Sequence, residues 1–123
     1  MNTLFWLTLV VEGIFALGFI FFPGAMLGNF GVVLNDTATT MARLFGAALL
    51  SFPVLLWLAV HSGKAEFKKG AAAALFTYYL ASAPVLIIAR TTGQMNAAGW
   101  SVIGLHLVLL FWFAFFLIQP KAD

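Results

Sequence analysis

The sequence predicts an all-α membrane protein, in which four transmembrane helices form an antiparallel bundle with a short interfacial segment after the first. Of its 123 residues, 63% are hydrophobic and only 8% are charged, and the mean hydropathy is +1.06. A soluble domain carries about 25% charged residues, so this composition cannot cover a water-facing surface. Lipid is therefore the expected solvent, and the length allows one domain over residues 1–123.

Four apolar stretches are each long enough to cross a hydrocarbon core about 30 Å thick, which takes about 20 helical residues. They are expected at residues 4–22, 38–60, 70–89 and 97–118. None of them alternates polar and apolar residues, as the strands of a membrane barrel would. The short loops between them require antiparallel packing of successive helices. The glycine-rich stretch 23–36 is too short to span and is predicted to lie in the interface.

Local signals mark the ends of the predicted helices. The sequence Asn-Asp-Thr at residues 35–37 offers side-chain oxygens that can cap the second segment. Gly63 and Gly93 follow the second and third segments, where helices commonly stop. Pro23 ends the first segment and Pro120 ends the fourth.

Two further prolines lie inside predicted helices. Pro53 leaves the carbonyl of Leu49 without its helical donor, and Pro84 does the same to Leu80. In lipid, such a carbonyl needs a neighbouring helix, a hydroxyl or water as its partner. Each proline is therefore either a simple packing kink or a functional feature, namely a hinge or an opening that faces a ligand.

The lysines lie on one side of the predicted topology. Lys64, Lys68 and Lys69 belong to the loop between the second and third segments, and Lys121 belongs to the C-terminal tail. On the opposite side, Arg90 is the one basic residue. The positive-inside rule therefore predicts that both termini and the lysine-rich loop are cytoplasmic.

Each helix is expected to place one polar residue deep in the membrane. At about 1.5 Å per residue, Glu12 and His106 both lie about 15 Å below the outer surface, and Arg43 about 10 Å below it. Tyr78 lies near the middle of the third segment. Ionisable groups at such depths cost about 2.5–3.5 kcal/mol and normally face the bundle interior. Three interpretations of the cluster are open. It is a structural Glu12–Arg43 ion pair, with or without His106 and a tyrosine hydroxyl; a site that binds a polar head or relays protons; or a snorkelling Arg43 beside an incidental His106.

The outer ends of the predicted helices are also polar. Asp36, Thr39 and Arg90 lie there, on the second and third segments. They are candidates either for a vestibule that opens the cluster to the outer side or for ordinary solvated loop.

The residue types do not support several kinds of site and activity. The chain has no cysteine, which removes thiolate metal sites and dithiol redox chemistry. His61 lies near the inner end of its segment and His106 in mid-segment, so no bis-histidine haem is expected. Glu12 and His106 alone do not make a metal site. The few basic residues are not clustered as in a nucleic-acid-binding surface. No set of residues suggests a catalytic site, so an enzyme is the least supported class.

Several short motifs are spread over the whole chain: Phe22-Pro23, Phe30-Gly31-Val32, Arg43-Leu44-Phe45-Gly46, and Arg90 at the end of the third segment. In these the chain resembles the small bacterial four-helix membrane proteins grouped as DoxX-like and related uncharacterised families. The resemblance implies a bacterial inner-membrane protein, and some members of that group are linked to quinone-dependent redox complexes. Glu12 is also similar to the glutamate of small multidrug resistance transporters, but Arg43 departs from their almost charge-free second helix.

Three functions are compatible with these observations. The first is the binding of a quinone or a lipid, with its polar head near Glu12, Arg43, Tyr78 and His106. The second is proton-coupled transport by a homodimer, in which Glu12 carries the proton. The third is a structural or accessory role in a larger membrane complex. The sequence names no cofactor and no partner beyond the lipid bilayer.

Overall fold

Four helical spans in the computed structural model are long and apolar enough to cross a membrane. The structure describes residues 1–119, in which helices are the only regular secondary structure. The predicted fold class is therefore confirmed, and the chain is an integral membrane protein. Pro120 and Lys121, with the predicted helix stop and tail charge, lie outside the described residues. The helices are α1 (Asn2–Phe21), α2 (Pro23–Gly28), α3 (Asp36–Leu49), α4 (Ser51–His61), α5 (Ala65–Thr91) and α6 (Gly99–Ile118).

The predicted boundary signals act at the ends of α3, α4 and α5. The Asn35 side chain accepts a hydrogen bond of 2.8 Å from the backbone N–H of Ala38 and so caps α3. Gly63 and Gly93 follow α4 and α5 with φ angles of 66° and 80°. These left-handed conformations favour glycine and let the chain turn back into the next span.

The second span consists of two helices, α3 and α4, which are separated at Leu50. The break lies within one turn before Pro53, which cannot donate a hydrogen bond to the carbonyl of Leu49. Next to the break, the Ser51 hydroxyl donates to the carbonyl of Ala48, the residue before Leu49, at 2.7 Å. Pro84, by contrast, lies inside a continuous α5. Only the first of the two interior prolines therefore marks an interruption.

The predicted start of the third span differs from the structure, because hydropathy reports only the lipid-embedded part of a helix. Helix α5 begins at Ala65 rather than residue 70, since its first turns carry charged residues that are good helix formers. The interfacial segment is helical only over Pro23–Gly28 and continues as turns and extended chain to Asn35. Its helix is short because Gly31 adopts a φ of 76° just beyond it.

The four membrane spans pack as two pairs, the first span with the second and the third with the fourth. Helix α1 packs along α3 and α4, α5 packs along α6, and a smaller α4–α5 contact joins the pairs. The α1–α3 crossing is close at Gly46, where an added Cβ would lie 2.8 Å from the backbone oxygen of Ala16. Small residues permit such close approaches between membrane helices. Helix α3 is thus drawn towards α1.

The two ends of the bundle differ. At the lysine end, where α1 begins, Lys68 donates to the side-chain oxygen of Asn2 at 3.2 Å. At the opposite, asparagine end, the backbone N–H of Asn96 donates to the carbonyl of Phe30 at 2.8 Å. The Asn96 side chain also donates to the carbonyl of Asn29 at 3.1 Å. These bonds tie the α2–α3 connection to the α5–α6 connection.

The half of the bundle at the lysine end is solidly packed. Its aromatic centre is formed by Phe5 of α1 and Phe113 of α6, whose ring centroids lie 6.1 Å apart. Tyr79 of α5 stacks on the other side of Phe113 at 5.9 Å. The fully packed core consists of Leu4, Phe5, Leu56, Ala59, Ala71, Ala72, Leu75, Tyr79, Leu109, Leu110 and Phe113.

Candidate functional site

The half of the bundle at the asparagine end contains a cavity of about 370 Å³. The cavity exists because α3 leans on α1 and makes no extensive backbone contact with α5 or α6. Its walls are almost entirely apolar, and polar side chains are concentrated at its inner end. The lining residues are Val11, Glu12, Phe15, Phe19, Leu27, Phe30, Phe45, Leu49, Tyr78, Ala81, Ser82, Val85, Leu86, Met95, Val102, Leu105 and His106.

Glu12 lies at the inner end of the cavity, where the packed core begins. Its side chain is only 4% exposed. One carboxyl oxygen, Oε1, accepts a hydrogen bond from the hydroxyl of Tyr79. Tyr79 is 1% exposed and packs between His106 and Phe113. The buried carboxyl is therefore held by a phenol from α5.

Tyr79 lies near mid-membrane beside Tyr78 in the sequence, but only Tyr78 was selected there as a site residue. The signal was present in the spacing of Ala72, Leu75, Tyr79 and Ala83, which lie on one buried stripe of α5. Residues at such intervals share one helix face, whereas an adjacent residue is rotated by about 100°. Tyr79 therefore points into the bundle, and Tyr78 lies at the edge of that face.

His106 joins the same level from α6. It is 9% exposed, and its Nδ1 lies 2.8 Å from the carbonyl oxygen of Val102. A carbonyl can only accept, so Nδ1 carries the hydrogen in this contact. The ring centroid lies 5.9 Å from that of Tyr78 and 5.3 Å from that of Tyr79. The second ring nitrogen, Nε2, is left for other partners.

Glu12, Tyr78, Tyr79 and His106 together form a polar layer between the packed core and the cavity. Three of its atoms make no hydrogen bond within residues 1–119: Glu12 Oε2, the Tyr78 hydroxyl and His106 Nε2. All three side chains line the cavity. Because their side chains line an otherwise apolar cavity, these atoms are the hydrogen-bonding groups that a molecule in the cavity would meet.

Arg43 does not belong to the polar layer. It is exposed on the outside of α3 and forms no ion pair within the described part of the chain. Phe45, two residues later, lines the cavity. A helix turns about 200° over two residues, so Arg43 points away from the cavity and from Glu12. The Glu12–Arg43 ion pair that the depths allowed is not formed, and the Tyr79 hydroxyl is the partner of Glu12 instead.

The three vestibule candidates also lie outside the cavity lining. Asp36 is exposed at the start of α3, and the Thr39 hydroxyl donates to the carbonyl of Asn35 at 2.9 Å. The Arg90 guanidinium lies 5.6 Å from the ring centroid of Trp100. The end of the cavity that the vestibule would open is lined by Leu27, Phe30 and Met95.

The chemistry available in the cavity is that of hydrogen bonding in an apolar chamber without a cationic side chain. No lysine or arginine appears among the lining residues. No group of three histidine, aspartate or glutamate side chains within residues 1–119 is arranged to hold a metal ion. The polar layer can donate to and accept from an oxygen-bearing group, and the phenylalanines can cover an apolar one.

The fold and the cavity define the class of protein: a four-span integral membrane protein with a chamber at the level of the lipid. Comparisons with protein-family models, with curated proteins and with solved structures find no match to this chain. The resemblance to DoxX-like families stays a prediction.

Proposed function

We propose that this protein binds an amphiphilic molecule dissolved in the membrane, whose uncharged, oxygen-bearing head lies against the polar layer. The quinone and neutral-lipid classes have this chemistry. One observation carries the proposal: an apolar cavity of about 370 Å³ ends at two polar side chains, Glu12 and His106, that are more than nine-tenths buried. Such a combination of apolar walls and a few convergent polar groups is typical of small-molecule sites.

The polar layer offers hydrogen bonds of the kind that a quinone or hydroxyl head needs. The Tyr78 hydroxyl can donate to a carbonyl oxygen of the ligand. His106 Nε2 and Glu12 Oε2 can bond a hydroxyl group, because both lack protein partners within residues 1–119. Each such bond contributes about 0.5–1.5 kcal/mol. The bonds orient the head, and apolar burial supplies the rest of the affinity.

The phenylalanines of the cavity suit the apolar part of the same ligand. Phe15 and Phe19 of α1, Phe30 after α2 and Phe45 of α3 contribute to the walls. Phe19 packs edge-on against Phe45, with centroids 5.2 Å apart. Aromatic side chains at such distances can cover a flat ring on its faces and edges.

The charges in the cavity favour an uncharged head over an anionic one. Glu12 is the acidic residue of the lining, and no lysine or arginine lies there to neutralise a phosphate or carboxylate ligand. Burying an anion without a cationic partner costs several kcal/mol. Phospholipids and fatty acids are therefore poor candidates for the head position.

The packing at the lysine end supports binding over transport. Phe5, Tyr79 and Phe113 fill the bundle between the cavity and that end. A substrate in the cavity has no water-filled path to the lysine end through these side chains. Proton-coupled transport in a homodimer would require this core to rearrange.

The membrane orientation is part of the proposal. By the positive-inside rule, the lysine end faces the cytoplasm and the asparagine end faces outward. The binding cavity would then lie in the outer half of the membrane, a bacterial inner membrane according to the DoxX-like resemblance. The chain has no cysteine, so Ala65→Cys at the lysine end and Ala97→Cys at the asparagine end, both at exposed positions, each create a single thiol for labelling. In intact cells, an impermeant maleimide should label the second variant only.

The test of binding compares the removal of two hydroxyls from neighbouring residues of α5. A short-chain ubiquinone analogue and a monoacylglycerol are titrated separately into protein in lipid nanodiscs. Tyr78→Phe should weaken binding of the recognised ligand about five- to tenfold, which corresponds to one lost hydrogen bond. Thr77→Val is the matched control, because the Thr77 hydroxyl donates to the carbonyl of Ala73 and does not line the cavity.

The outcomes separate the candidate functions. Saturable binding of one probe that is weakened by Tyr78→Phe and unchanged by Thr77→Val supports the proposal and identifies the ligand class. Wild-type protein that binds neither probe, and from which solvent extraction recovers no quinone or neutral lipid by mass spectrometry, overturns it. Uptake of a small molecule into proteoliposomes that is lost when Glu12 is replaced would favour transport instead.

A further inference from the structure

We infer that the ligand enters the cavity sideways from the bilayer, through an opening between α3 and α5, and that a long apolar tail stays in this opening. The inference rests on the proposed function and adds a route and a ligand class to it. The ligand would be a head on an isoprenoid or acyl chain, and not a compact molecule taken up from water.

The opening is visible in side chains that line the cavity and are also exposed on the outside of the bundle. Phe45 on α3 is 43% exposed, and Val85 on α5 is 64% exposed. Ala81, one turn before Val85, is exposed as well. All three line the cavity. A side chain can have both properties only where the wall between cavity and lipid is interrupted, so these residues form the rim.

The other walls of the cavity are better covered. Towards α1 and α6, the lining residues Val11, Phe15, Val102 and Leu105 are only partly exposed. At the asparagine end, the hydrogen bonds of Asn96 hold the two connections together. The end of the cavity at these connections is lined by apolar side chains, which do not favour a polar entry from water.

The opening has a local cause in the second span. Gly46 brings α3 against the backbone of α1, with room for no larger residue. The helix is then interrupted at Leu50, within one turn before Pro53, and the following α4 contacts α5. The second span is therefore next to α5 in its second half only. In its first half, the gap between α3 and α5 is the opening.

The depth and the apolar rim of the opening indicate which molecules can use it. Ala81 lies ten residues before the end of α5 at Thr91, which places it about 15 Å along the helix axis from that end. This depth lies in the hydrocarbon of a core about 30 Å thick. Solutes that reach the opening must therefore already be dissolved in the bilayer.

The size of the cavity explains why the tail would stay outside. A volume of about 370 Å³ lies near the lower limit of small-molecule sites, which run from about 300 to 1,000 Å³. The polar layer and the phenylalanines are sufficient to enclose a head group. A long isoprenoid or acyl chain must then leave between Phe45 and Val85, where lipid tails replace the missing protein wall.

The chain provides a matched pair of positions for testing this route. Ala74 precedes Ala81 by seven residues, so both lie on one face of α5, and both are exposed. Only Ala81 lines the cavity. Because the protein has no cysteine, Ala81→Cys and Ala74→Cys can each be labelled with a bulky, lipid-soluble maleimide after folding. Because the bulky label is attached after folding, it cannot disturb the folding of the protein.

Association of a long-chain quinone or a neutral lipid with the labelled proteins is then followed in nanodiscs by stopped flow. Labelled Ala81→Cys should associate at least about tenfold more slowly than unlabelled protein, whereas labelled Ala74→Cys should be unchanged. Saturating ligand should also protect Ala81→Cys, and not Ala74→Cys, from the maleimide. In addition, a tail-free head analogue should bind at least about tenfold more weakly than the long-chain probe.

The result that overturns the lateral route is distinct from failure of the binding proposal. If the probe binds and labelled Ala81→Cys associates at the unlabelled rate, the site stands and the route is wrong. If the tail-free analogue binds as tightly as the long-chain probe, the tail has no place in the opening. If wild-type protein binds no probe, the proposed function itself fails.

Discussion

The adjacent tyrosines of α5 should have separable roles, one in stability and the other in ligand binding. Tyr79→Phe removes the hydroxyl that donates to Oε1 of Glu12, and it leaves this oxygen without a partner on a residue that is only 4% exposed. Leaving a buried acceptor unpaired costs about 1–3 kcal/mol, and more for a charged group. Tyr78→Phe removes a hydroxyl with no protein partner in residues 1–119, so it should cost less than about 0.5 kcal/mol.

The assay is equilibrium unfolding of each variant in mixed micelles, followed by tryptophan fluorescence. Tyr79→Phe should lower the free energy of unfolding by at least about 1 kcal/mol, and Tyr78→Phe should leave it nearly unchanged. A Tyr79→Phe/Glu12→Leu double variant provides the control. Replacing both partners by apolar groups removes the unpaired acceptor and should recover part of the loss.

Equal stabilities of the two single variants would refute the reasoning, because the Tyr79–Glu12 bond would then contribute nothing. A Tyr79→Phe/Glu12→Leu variant that is no more stable than Tyr79→Phe alone would contradict the prediction as well. In that case the carboxyl of Glu12 would have a stabilising partner other than Tyr79.

Two further predictions concern α3. Gly46→Ala should lower the free energy of unfolding by about 1–3 kcal/mol, because the new Cβ would lie 2.8 Å from the backbone oxygen of Ala16. Gly104→Ala in α6 is the control, since no atom lies within 4 Å of its added Cβ. In the same unfolding assay this variant should be neutral or more stable by up to about 1 kcal/mol. Arg43→Leu should leave ligand affinity unchanged and should not lower the free energy of unfolding, because Arg43 faces outward and does not pair with Glu12. A decrease in the free energy of unfolding of more than about 2 kcal/mol would instead indicate a buried ion pair.

Much of the fold could be predicted because its signals are local. Hydropathy identified the four spans, and Asn35, Gly63 and Gly93 marked helix ends through capping and backbone conformation. Pro53 identified a weak point in the second span, although the break at Leu50 and the contrasting continuity at Pro84 needed the structure. These features depend on a residue and its near neighbours along the chain.

The candidate site was only half predictable from the same information. Counting about 1.5 Å per residue placed Glu12, Tyr78 and His106 at one level, and all three line the cavity. The same counting allowed Arg43 to reach Glu12, but it contained no information about the direction in which α3 faces. Tyr79 was passed over for a similar reason, since depth does not distinguish adjacent residues.

Residue types and their spacing along the chain are sufficient to establish that this chain spans a membrane, how many times it crosses, and which polar residues lie deep within it. The tertiary structure alone decided which of those residues meet, because helix rotation depends on contacts such as that of Gly46 with α1. It also decided that the lysine end is solid and the asparagine end hollow. A cavity arises where two helices fail to approach each other, and no single segment encodes that distance.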